Sequence, residues 1–152
     1  MEGKRVDLYN AAYTGFADSV HDIVRRETYG DDMGQTSWIT SDEYDRLLPF
    51  LALTANSHVL EVCSGSGGPA LRMAQKTGAR VTGVDVNENG VATSNHLAVR
   101  AGLGERVRFQ VCDADARLPF DDNTFDALLC MDSMNHLANR SLVLHEWHRV
   151  LR

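Results

Sequence analysis

No apolar run in this chain approaches the roughly 20 residues that a bilayer span requires, and the opening stretch MEGKRVDLYN offers no apolar segment to act as a signal peptide. A cytoplasmic protein with no membrane partner is expected. Positive charge is also short, with 15 basic residues against 21 acidic and a formal net charge of −6. Without a basic field to hold a phosphate backbone, nucleic acid is not an expected partner. Cysteine is scarce and odd in number: Cys63, Cys112 and Cys130 lack the short paired spacing of a structural zinc site. Each lies near the end of an apolar run, so buried, reduced thiols are expected and no metal site is. Internal repeats and low-complexity segments are absent. The rest is ordinary, with 43% hydrophobic and 24% charged residues in 152, the balance of one soluble globular domain.

Periodicity organises what is there. Val6, Tyr9, Tyr13, Phe16, Val20, Ile23 and Val24 recur at three- and four-residue steps, predicting a helix with one buried face that Gly30 can end. Thr40 and Glu43 have capping-box spacing ahead of a second helix carrying Tyr44, Leu47 and Leu48, which Pro49 should kink or end. Strand-like and helix-like segments then alternate. HVLEV (58–62), RVTGVDV (80–86), RVRFQVCD (106–113) and FDALLCM (125–131) read as strands. Between the first three lie PALRMAQKTG, with Pro69 at the helix start and Gly78 at its stop, and a helix over 90–101 ended by Gly102. This alternation predicts a parallel sheet covered on both faces, with a ligand cleft at the carboxyl ends of the strands.

The strongest chemical signal is Glu61-Val62-Cys63-Ser64-Gly65-Ser66-Gly67-Gly68, a glycine-rich turn between strand and helix. Such a turn lets backbone approach a ligand and aims helix N–H groups at it. Gly65, Gly67 and Ala70 also satisfy the dinucleotide fingerprint, so the turn alone is ambiguous. The acids separate the readings. Glu61, Asp85 and Asp113 fall at the ends of the first three strands and would gather at one cleft. S-adenosylmethionine presents a sulfonium, an ammonium, ribose hydroxyls and an adenine amino group to such carboxylates, whereas a pyrophosphate would be repelled by Glu61.

From residue 40 onward the chain resembles the N-terminal part of a class I S-adenosylmethionine-dependent methyltransferase. HVLEVCSGSGG is similar to the family's motif I, VTGVDV to its ribose-binding strand, VCDADARLPFDDNTFDALLCMDSMNHL to the run from the adenine-contacting acid through the fourth strand, and HEWHRVLR to the helix before the fifth. The resemblance implies S-adenosyl-L-methionine as cofactor and a binding set of Ser37, Glu61, Gly65, Ser66, Gly67, Asp85, Val86, Asp113 and Ala114. Cys63 stands where the family usually has its first motif I glycine. It also implies an α/β, Rossmann-like three-layer αβα domain: a parallel sheet of order 3-2-1-4, truncated before the family's strands 5 to 7. N-terminal helices would form a lid over 1–55 and the core would span 56–152.

YGDDMGQTSW and MDSMNHL are similar to the small-amine branch, including phosphoethanolamine and glycine or sarcosine N-methyltransferases. That resemblance makes Asp132 and His136 candidate catalytic residues, to orient an amine or take its proton. The bland alternative for His136 is a helix-lining residue. Methyl transfer to a small-molecule acceptor, an amine in that branch, is thus implied, the alternative being a truncated cofactor-binding module, or a fragment of a longer enzyme, without methyl transfer of its own. His145 and His148 read as a surface pair, Trp38 as a packing anchor, and Tyr29 and Gln35 as lid candidates. A 3-2-1-4 sheet leaves the apolar fourth strand at an edge without lysine or proline, so a homodimer through 125–131 and 139–152 is expected.

Overall fold

A computed structural model describes residues 10, 13, 16, 19–34 and 37–152. Val6, Tyr9 and Gln35, which carry parts of the expectations above, lie outside the described residues.

The parallel sheet has the order β3-β2-β1-β4, built from β1 (His58–Val62), β2 (Arg80–Asp85), β3 (Val107–Val111) and β4 (Ala127–Leu129). Register runs Glu61↔Gly83 and Glu61↔Leu129 across the centre, and Asp85↔Val111 at the β3 side. Helices α1 (Ser19–Tyr29), α2 (Ser41–Leu47), α3 (Gly68–Thr77), α4 (Glu88–Arg100) and α5 (Arg140–Val150) surround it. Alternation along β1 sends Val59 to one face, where Tyr44, Met73, Ala74, Val91 and Ala98 of α2, α3 and α4 pack. Leu60 and Val62 face the other side and meet Val143 and Val150 of α5. This is the expected three-layer αβα arrangement.

Local chemistry sets the element ends. Thr40 and Glu43 form the full capping box at the start of α2. Pro49 ends the α-helix, and the chain continues as a 3-10 turn over Leu48–Leu51. Gly67 and Gly78, both left-handed, bracket α3. On the α5 side, Glu146 is buried and accepts from the Leu118 N–H at 3.0 Å, while Arg149 reaches the carbonyls of Leu118 and Phe120 at 3.0 and 2.7 Å. This network pins the loop before β4 to the last helix.

Three expectations are corrected. The continuous first helix is broken: Phe16 sits in a turn, its N–H bonded to the Tyr13 carbonyl, and α1 begins at Ser19. The Arg25 guanidinium lies 4.0 Å over the Phe16 ring and bonds its carbonyl; Tyr13 and Phe16 are buried, while Val20, Ile23 and Val24 are 53–62% exposed. The fourth strand is shorter than 125–131. Phe125 bonds toward the chain's own end, bridging Leu151, and Asp126 spends its carboxylate on the His58 N–H, leaving Ala127–Leu129 as ladder. The cysteines are half-buried rather than buried, and all three are free thiols.

Candidate functional site

The carboxyl ends of the strands open into a cavity of about 470 Å³. Glu61, Asp85 and Asp113 all line it, although they stand on three different strands or the loops just past them. Parallel strands in register deliver their ends to one edge, which is why spacing by element predicts their meeting. Ser37, Gly65, Ser66, Val86, Ala114, Asp132 and His136 also line the cavity. Gly67 does not. It holds φ +80, and a Cβ there would lie 2.6 Å from both the Phe109 ring and the Ser94 side chain, so its role is close packing of the turn on β3 and α4.

The turn is held rigidly. Asp85 accepts the Gly65 N–H on one oxygen and the Asn87 N–H on the other, both at 2.8 Å. Each oxygen keeps lone-pair capacity for a further donor. Cys63, in the place usual for glycine, adopts φ 59, so the left-handed turn is kept without a glycine. Residues 33–34 and 37–38 border one side. Ser66 Oγ donates to the Gly34 carbonyl at 2.6 Å, and Gly68 leaves no room for a Cβ against the Met33 carbonyl. The Trp38 N–H donates to Asp132 Oδ2 at 2.9 Å. The Trp38 ring is 92% exposed, so it does not anchor the segment as expected; the backbone bond does. Tyr29 contributes by donating its hydroxyl to the Ser37 carbonyl at 2.9 Å.

Glu61 is the electrostatic centre. It is 3% exposed, one oxygen has no partner, and the Ala70 N–H supports the carboxylate. Burial, then the neighbouring Cys130 and Asp85, push its acid constant up to about 8 from an ordinary 4.5. Ser37 Oγ and Ser64 Oγ are likewise buried and unpartnered, and both line the cavity. Buried polar groups normally find partners. Three such atoms around one cavity therefore mark a site built for a polar ligand, and the unpaired Glu61 oxygen suits a cationic one.

His136 sits on the 3-10 turn Met134–His136, exposed at the rim. Asp132 has one carboxylate oxygen committed to Trp38 and a left-handed backbone, φ 51. His145 and His148 are exposed on α5, as expected. Among the described residues no cluster of three metal-binding side chains occurs, and no helix is long and apolar enough to cross a membrane. Tyr13, Asn87, Met131 and Ser133 also line the cavity, and their sequence context does not mark them as site residues. For Tyr13 the periodic apolar pattern disguised a wall residue as a packing one.

Residues 59–152 match the family described as a methyltransferase domain. The chain is 32% identical over 144 residues to the 27-O-demethylrifamycin SV methyltransferase of Amycolatopsis mediterranei (strain S699), covering 92% of this chain and 53% of the relative. It is similar to the crystal structure of the (4+2)-cyclase SpnF, at 33% identity and TM-score 0.67 over 82% of this chain and 46% of that one. It is also similar to a geranyl diphosphate methyltransferase in complex with GPP and sinefungin, at 26% identity and TM-score 0.68 over 74% and 41%. The chain spans about half the length of the curated relatives it matches.

Proposed function

The chain belongs to the methyltransferase domain family, and from that premise we propose that it is the cofactor-binding part of an S-adenosylmethionine-dependent methyltransferase acting on a small-molecule acceptor. The observation that carries this reading is the acid-lined cavity with an unpartnered Glu61 oxygen beside the glycine turn. A sulfonium and an ammonium are attracted there, and a pyrophosphate is repelled. Asp85, oriented by two backbone N–H groups, accepts from ribose hydroxyls; Asp113 and Ala114 meet the adenine; Glu61 and Gly65 take the methionine end. When bound, the cofactor supplies an electrophilic methyl group. The chain's own work is to hold the acceptor in line behind it, an effect that can contribute about 7–11 kcal/mol. Asp132 and His136, on the loop after β4, orient the acceptor or take its proton. Calorimetry tests the binding half: S-adenosylmethionine or S-adenosylhomocysteine should bind, and binding of nicotinamide dinucleotide alone would refute it.

An amine acceptor is the finer form of this reading. A bulkier, partly apolar acceptor is favoured by the exposed Trp38, which follows cavity-lining Ser37 in the chain, and by the likeness to enzymes named for rifamycin and geranyl diphosphate. Radiolabelled methyl incorporation into a panel of both classes, using the full-length protein, separates them. The second functional reading, cofactor binding without transfer, is supported by the likeness to a protein named as a cyclase, and a panel with no labelled product would favour it.

Assembly belongs to the same proposal. β4 pairs with β1 and, beyond the Phe125–Leu151 bridge, has no other ladder among the described residues. Leu142 and Leu144 are exposed on α5. A homodimer through 125–131 and 139–152 would cover both, and light scattering that gives the mass of one chain would refute it.

A further inference from the structure

Cys63 follows β1 directly, and Cys130 follows β4 directly. The ladder between these strands ends at Glu61↔Leu129, so continuing the parallel register sets Val62 beside Cys130 and Cys63 one step further. Strand spacing then separates the two cysteine Cα atoms by about 6 Å, within the range of roughly 4.4–6.8 Å that a disulfide spans. Simple alternation would send the two side chains to opposite faces of the sheet. Cys63 instead leaves the strand with a left-handed backbone, φ 59, and both side chains pack on the side of the sheet that holds the cluster including Leu60, Val62 and Val84. The two thiols lie close enough to perturb each other's ionisation. Cys112 takes no part; its thiol turns to the Asp113 carbonyl.

We propose that Cys63 and Cys130 form a dithiol site that a low-molecular-weight disulfide oxidises to an internal disulfide, shifting the glycine turn and weakening ligand binding in the cavity. The thiolate that attacks first is Cys130: the Ser133 N–H supports its anion, whereas burial and the nearby Asp85 and Asp115 carboxylates oppose ionisation of Cys63. The Cys130 sulfur displaces one thiolate from the reagent and forms a mixed disulfide. Cys63 then loses its proton and attacks the Cys130 sulfur, releasing the second thiolate. Two protein thiols are oxidised, one reagent disulfide is reduced to two thiols, and no other electron carrier is needed. Closing the bond draws the sulfurs to about 2.05 Å. Cys63 lies immediately before Ser64 and Gly65, which line the cavity, so the pull is transmitted to the turn.

Glutathione disulfide is the probe. Treated protein should lose two of its three thiols and about 2 Da of mass, with a peptide containing Cys63 linked to one containing Cys130. Cys112→Ser should still form the link, whereas Cys63→Ser should stop at the glutathione adduct on Cys130. Retention of all three thiols, or a link through Cys112, would overturn the assignment. The binding arm rests on the proposed function: oxidised protein should hold S-adenosylhomocysteine roughly tenfold less tightly, an energy of about 1.4 kcal/mol. Unchanged affinity would overturn the effect on the turn. Failure of the reduced protein to bind at all would count against the proposed function, while the thiol and mass readouts still decide the disulfide.

Discussion

Gly65 donates its backbone N–H to the carboxylate of Asp85 at 2.8 Å, so the acid at the end of β2 orients the glycine turn at the end of β1 as well as facing the cavity. One residue thereby lines the cavity and holds the loop at its edge. Asp85→Asn leaves one of the two backbone donors facing an amide N–H, a loss of about 1–3 kcal/mol. S-adenosylhomocysteine binding measured by calorimetry should weaken roughly 10- to 100-fold. Affinity equal to that of the parent protein would remove Asp85 from the site.

Glu61 should make both stability and binding depend on pH. Its acid constant in the folded chain is raised to about 8, so the folded state keeps a proton that the unfolded state has released. The stability from this group is full below about pH 4.5 and is lost as pH rises through about 8, at up to roughly 1.4 kcal/mol per unit. Glu61→Gln abolishes that slope. Denaturant unfolding at pH 5 and pH 8 should show the variant gaining on the parent at the higher pH; a constant difference would disprove the raised value.

Binding should run the other way with pH. The carboxylate form attracts the cationic ligand, so affinity for S-adenosylmethionine should rise toward pH 8 and level off above it, and Glu61→Gln should be flat. Parallel pH profiles for the two proteins would show that Glu61 does not face the ligand's charge.

Two glycine substitutions separate strain from crowding. Gly30, φ +73, has open space where a methyl would be added, and Gly67, φ +80, has the Phe109 ring and Ser94 at 2.6 Å. Gly30→Ala should cost about 1–2 kcal/mol from backbone alone, and Gly67→Ala a further 1–3 kcal/mol or so from overpacking. Equal unfolding free energies for the two variants would contradict the packing assigned to Gly67.

Asp132 should act on the N-terminal segment. Asp132→Ala removes the acceptor of the Trp38 N–H, a charged hydrogen bond of the kind worth about 1.5–3 kcal/mol. Hydrogen exchange at the Trp38 amide should accelerate roughly tenfold or more. An unchanged rate would show that other contacts hold the segment.

Much of this protein was legible because its signals are local or strictly periodic. The capping box at Thr40 and Glu43, the stop at Pro49 and the left-handed glycines around α3 depend on a few neighbouring residues. The meeting of Glu61, Asp85 and Asp113 follows from chain order, because parallel strands in register bring their ends to one edge. Packing between distant segments decided the rest. Whether Val20, Ile23 and Val24 are buried depends on what α1 lies against, and their helical spacing carries no information about that. The bond from the Trp38 backbone to Asp132, the contact of Gly67 with Phe109 and the packing of Cys63 and Cys130 on one cluster each join residues far apart in the chain. Sequence determined which groups reach the cavity's edge; only the tertiary structure decided which of them are spent on one another and which, like the second oxygen of Glu61, are buried without a partner, because burial and hydrogen-bond partners are properties of the packed whole.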